Sequence, residues 1–171
     1  MIVRDSSAHR ITGVVFPVSF PILLPEYVDN ADEYLTFYTN VAREVKQRDM
    51  KLVVKLHSIF PHALPAFGFS YDTLTFAAYT SGKQHMAQTI IDNMQPDYLT
   101  LISEPSTKVT ITGLAELDDP ATVKAFVAST LSGLNKNTTL VGAGSGTWDK
   151  PELVRDHLAG TASRYSSLGL G

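Results

Sequence analysis

The chain has 171 residues, 44% of them hydrophobic and 18% charged, which suits one packed domain and argues against disorder. A net charge of −3 with scattered Lys and Arg leaves no basic footprint for nucleic acid or an anionic membrane surface. The absence of cysteine excludes a disulfide framework, a Cys-based zinc site and a Cys nucleophile. No apolar run approaches the ~20 residues of a membrane span, and "MIVRDSSAHR" carries no hydrophobic signal segment, so the localisation stays unknown.

Taken in chain order, the apolar pattern alternates between two kinds. "GVVFPVSF" (13–20) opens as a short Val- and Phe-rich run of strand type. A helical period follows, with Tyr34, Phe37, Tyr38, Val41 and Val45 on one face and Asn30 with Glu33 as a capping box. "KLVVKLH" (51–57) is the next strand. The loop "HSIFPHALPAFGFS" (57–70) is long enough to be functional. A second helix is expected from Asp72 or Thr73, carrying Met86, Ile90, Ile91 and Met94 and ending before Pro96.

"YLTLIS" (98–103) is the third strand, followed by a long loop, "EPSTKVTITGLAELDD". Asp119 caps a third helix with Pro120 at its first position and Val123, Phe126, Val127, Leu131 and Leu134 inward. "TTLVGAG" (138–144) is the fourth strand. A short helix opens at Asp149 and runs through Leu158, and residues 161–171 read as an irregular tail. Strand starts at 14, 52, 98 and 139 with intervening helices require parallel strands and right-handed crossovers. The class is α/β in one domain over 1–171. Two architectures fit: part of a (β/α)8 barrel, or a small doubly wound sheet. A full barrel takes ~250 residues. As barrel sequence this chain is about half of one. If it stood alone, its open sheet edges would favour self-association.

The site candidates sit where strands end, because ligands bind at the carboxyl ends of parallel strands. Glu104 directly follows the third strand. It is a half-desolvated general acid, or it caps the following loop or pairs with a basic residue. His57 holds the matching position on the previous strand, as a converging imidazole or a backbone-bonded histidine. His57 and His62 lack a third ligand at zinc spacing, so no metal is expected. "GAGSGTW" (142–148) breaks both the dinucleotide fingerprint and the phosphate loop, and it lacks a serine elbow. It reads as a tight rim turn. Trp148 there either stacks on a sugar face or fills a gap between helices. Asp72, Asp119 and Asp149 read as helix caps, and Glu26, Asp29, Glu116 and Asp118 as loop carboxylates within reach of a cleft.

"PDYLTLISEPST", the preceding "KLVVKLH", the "VVFPV" with Pro17, the "TG" at 112–113 and the later "GAGSGTW" together resemble clan A glycoside hydrolases of the cellulase and mannanase type, and bacterial TIM-barrel glycosidase-like proteins. The resemblance spans roughly residues 11–160. It implies barrel strands two to five, a carbohydrate substrate, no cofactor, and Glu104 as the acid/base that closes strand four. It further implies that His57 and Ser103 orient Glu104 or the sugar and that Trp148 stacks on a sugar ring. The sequence departs from the family pattern in three ways. Ser103 stands where the family has Asn, and Phe16 with Pro17 where an Arg is frequent. The family's nucleophile, a Glu closing strand seven, would lie outside this sequence.

Overall fold

A computed structural model describes residues 11–146 together with 149 and 151. The expected helix from Asp149 to Leu158, the tail 161–171 and Trp148 lie outside the described residues. Four parallel strands alternate with helices, which makes the fold α/β. The strands are β1 (Gly13–Phe20), β2 (Lys51–Ser58), β3 (Tyr98–Thr100) and β4 (Leu140–Gly142), in the sheet order β1-β2-β3-β4. Register is continuous across the sheet: Val14 pairs Leu52, Val54 pairs Leu99, and Leu99 pairs Val141. Among the described residues β1 and β4 are the outer strands. Beyond the short β3, Leu101 N–H still donates to Gly142 O and Gly144 N–H to Ile102 O, so the two chains run together past the formal strand ends.

The alternation along β2 shows how the sheet is covered. Leu52, Val54, Leu56 and Ser58 are buried, Val53 and His57 are half-buried, and Lys51 and Lys55 are exposed. The buried face receives the helices α1 (Ala31–Lys46), α2 (Phe76–Met94) and α4 (Pro120–Gly133). Phe16 of β1 stacks on Tyr38 of α1 at 5.6 Å between ring centroids, and Phe20 meets Tyr79 of α2 edge-on at 5.1 Å. Phe126 of α4 packs on Phe76 of α2. α2 thus lies between α1 and α4, against β1. The other face carries Val15, Val53, Tyr98 and Leu140 in one register row, with Tyr98 46% and Leu140 47% exposed.

At the amino ends of the strands Asp97 ties three of them together. Its carboxylate accepts from Leu52 N–H at 2.9 Å and from Lys51 Nζ at 2.6 Å, and its carbonyl accepts from Leu140 N–H.

Local chemistry corrects several expectations. Asn30 does precede α1, but its side chain makes no capping bond, so no capping box forms. Its backbone, at φ −103° and ψ 30°, leaves the extended region from which a cap side chain reaches back. Phe37, expected on the buried stripe, is 58% exposed and leans on Tyr38. α2 begins three to four residues later than expected. Thr75 is its cap, accepting from Ala78 N–H, while Asp72 bonds Ser70 Oγ instead. Gln95 then turns left-handed ahead of Pro96. The stretch after Ser103 is no loop. It forms α3 (Pro105–Thr112) and a short 3-10 helix, Ala115–Asp118. Pro105 therefore starts a helix, at the position where its missing N–H costs nothing. Asp119 caps α4 as expected, accepting from Thr122 N–H. Asp149 also caps α3: its oxygens accept from Ser106 N–H and Gly146 N–H.

Candidate functional site at the carboxyl ends of the strands

Glu104 stands between β3 and α3 with φ 54° and ψ 64°, left-handed backbone on a residue that bears a β-carbon. Such a conformation costs on the order of 1 kcal/mol or more and persists where the surroundings enforce it. Here the enforcement comes from both sides. Leu101 and Ile102 hold the chain to β4, and Lys108 N–H closes the first turn of α3 on Glu104 O. The carboxylate lies at the start of that helix, where the backbone dipole favours negative charge. Thr107 Oγ1 donates to its Oε2 at 3.4 Å, and Gly146 packs on the other side.

One turn into α3, Lys108 points back toward the strand ends, the direction every helical side chain leans. It is fully buried, and its Nζ lies 3.2 Å from His57 Nε2. His57 Nδ1 faces Ser58 O at 3.2 Å, which places the ring proton on Nδ1 and leaves Nε2 to accept from the amine. Burial pulls the imidazole below its ordinary pKa, and the Lys108 charge adds to this. Burial likewise lowers Lys108, opposed by Glu104 and Asp149.

Behind this pair lies a second buried lysine. Lys83 of α2 donates to His57 O at 2.6 Å and to Leu56 O at 3.0 Å. It thereby satisfies carbonyls at the end of β2. Tyr71 OH does the same for Ile59 O at 3.0 Å, and Tyr79 OH lies 3.3 Å from Ser58 Oγ. Desolvation first, then Lys108, holds the Lys83 amine well below an ordinary lysine.

Of the expected residues, Glu104 and His57 are brought to the same end of the sheet, with Lys108 between them. Ser103 sits half-buried beside Glu104. His62 is exposed and stacks on Phe60, and among the described residues no three His, Cys, Asp or Glu are grouped to hold a metal ion. Glu26 is exposed beside a cavity of about 270 Å³ with Tyr27, Phe69 and Thr75. Asp118 accepts from Ser106 Oγ. A larger cavity, about 550 Å³, lies at the opposite, amino end of the strands, lined by Lys51, Asp97, Tyr98 and Leu140 among others. Lys51 and Asp97 there are paired with each other, and ligands of parallel sheets bind at the other end.

The sequence reading missed Lys83 and Lys108. The signal was present in their spacing. Lys83 lies four after Tyr79 and three before Met86, on the buried stripe of α2, and Lys108 lies three after Pro105 and three before Ile111.

The assembled groups are a rim carboxylate, an imidazole with an accepting nitrogen and a desolvated amine. They can exchange protons and bind a polar ligand. No protein-family model, no curated protein and no solved structure matches the chain.

Proposed function

We propose that β1 to β4 are consecutive strands of a (β/α)8-type barrel, about its strands two to five, and that the site acts on glycosidic bonds with Glu104 as general acid/base. The strand order supports the barrel: neighbours in sequence are neighbours in the sheet, without the order reversal of a doubly wound fold. Helices gathered on one face, with a half-open face opposite, support it too.

The observation that carries the catalytic reading is the backbone of Glu104. A strained residue at the carboxyl end of a strand, held with its carboxylate at the rim, is where such folds place an acid. In this reading Glu104 protonates the departing glycosidic oxygen and later takes a proton from water. His57 and Ser103 flank it toward the sugar, and Trp148 stacks on a ring. The substrate is a carbohydrate. Retaining hydrolysis needs a second carboxyl ~5–5.5 Å away. Asp149 is engaged on both oxygens by backbone N–H groups, and the reading places the nucleophile outside this sequence.

The test is Glu104→Gln in the full reading frame that encodes this sequence, assayed on a panel of aryl glycosides. We expect a loss of ~10²–10⁴-fold, the usual contribution of a positioned acid. An unchanged rate rejects the role. The engagement of Asp149 favours one second reading, a carbohydrate-binding domain without turnover. Calorimetric binding of oligosaccharides with no hydrolysis by the full protein would select it.

A further inference from the structure

We infer that Lys108 and His57 form an amine–imidazole pair that captures the carbonyl of a small aldehyde or ketone as an imine. The inference stands apart from the role given to Glu104. It starts from an oddity of packing. Lys108 is fully buried, and buried lysines are ordinarily paired with a carboxylate. Among the described residues the ion pairs within 4.0 Å are Arg48–Glu44 and Lys51–Asp97, and neither involves Lys108. Its amine instead meets the lone pair of His57 Nε2 at 3.2 Å. That nitrogen is an acceptor because the other ring nitrogen faces Ser58 O. A base aimed at a desolvated amine is the arrangement that activates a lysine nucleophile.

Lys83 does not compete for the role. Its hydrogens go to Leu56 O and His57 O, and it lies over the Tyr79 ring. It fixes the end of β2, and with it the backbone of His57. Burial disfavours charge on Lys108, opposed in part by Glu104 and Asp149.

The chemistry balances without an oxidant or reductant. His57 Nε2 takes a proton from the Lys108 ammonium. The Nζ lone pair then bonds to the carbonyl carbon, and the C=O π pair moves to oxygen. The imidazolium returns its proton to that oxygen, giving a carbinolamine. Loss of the hydroxyl as water, with a second proton passing from nitrogen through His57, leaves the C=N bond. Net, one ammonium and one carbonyl become one protonated imine and one water. The carbonyl compound would enter past His57, which is half-buried on the open face of the sheet and lies 3.2 Å from the amine. Glu104 and Thr107 at the same rim suit a ligand with hydroxyl groups, so short hydroxyaldehydes are the favoured class.

The experiment incubates the protein with glycolaldehyde at neutral pH, traps imines with cyanoborohydride, and maps the modified lysines by peptide mass spectrometry. Lys108 is expected to be labelled roughly tenfold or more faster than Lys51 and Lys55, because burial favours its free amine and His57 stands beside it as a base. His57→Asn, checked for folding by circular dichroism and melting, is expected to slow labelling at Lys108 alone. Labelling confined to surface lysines, with Lys108 untouched, overturns the assignment. Equal labelling of Lys108 in both proteins removes His57 from it and so also overturns the pair.

Discussion

Gly146 lies directly against Glu104: a β-carbon built on Gly146 would stand 2.9 Å from Glu104 Cδ and 3.0 Å from its Oε1. The glycine is what lets the 142–146 turn close over the carboxylate. Gly146→Ala is expected to push the carboxyl aside. A displacement near 1 Å costs about 10²-fold in rate where the group is catalytic. The melting temperature should fall only modestly, because the side chain from Cγ outward can swing aside without moving the core. Kinetics on an aryl glycoside beside a thermal melt tests this. A large loss of stability with no loss of rate would contradict it.

Gly82 is a second close approach, in the middle of α2. Its built β-carbon would meet Phe20 Cε2 at 2.7 Å and Leu24 Cδ1 at 3.0 Å. Helix propensity alone favours alanine there by about 1 kcal/mol. Steric overlap in a packed core should win, and Gly82→Ala should destabilise by about 1–3 kcal/mol. Urea unfolding decides the sign.

The caps offer an internal control. Asp119 accepts from Thr122 N–H at 2.9 Å, so Asp119→Ala should cost about 1 kcal/mol. Asn30 occupies the same position on α1 without a capping bond, and Asn30→Ala should cost clearly less. Comparable losses in the two variants would show that Asn30 does cap in solution.

Stability should rise with pH well past neutrality. Lys83 and Lys108 bind protons less readily folded than unfolded, because burial lowers both. Wherever the unfolded chain holds more protons, raising the pH favours the fold. His57 and Asp97, both lowered, act in the same direction at lower pH. Burial raises Tyr71 and Tyr79, so the trend reverses once ordinary tyrosines ionise, near 10.0. The urea midpoint is expected to climb from about pH 7 to about pH 9, and Lys83→Met to flatten the climb. A midpoint that falls over that range would sink the account.

Much of this frame was readable beforehand, and each failure has its own physical cause. The strands in "KLVVKLH" and "YLTLIS" were evident because continuous Val, Leu and Ile runs have no other home than a buried parallel strand. Asp119-Pro120 announced α4 because both residues satisfy the orphan groups of a helix start. α3 was invisible: "PSTKVTIT" is short, polar and β-branched, and its helix exists because Asp149 and the β3–β4 pairing hold its first turn. Phe37 misled because hydrophobicity favours burial without compelling it. That Glu104 and His57 lie at the same end of the sheet was legible from strand ends alone. Lys83 and Lys108 escaped because only apolar residues were placed on the helix stripes, although their spacing put them there too.

The register of the sheet has a consequence for the order of assembly. Each ladder joins strands separated by a whole helix, so no pairing in the sheet is local in the chain. Loop-closure entropy must be lost before any ladder bond is gained, which slows such topologies. His57 and Lys83 arrive with β2 and α2, while Glu104 and Lys108 arrive with β3 and α3. Their meeting therefore depends on β2 docking to β3. A chain trapped before that step would hold four correct residues in two separate halves, with helix content already in place and no chemistry to show for it.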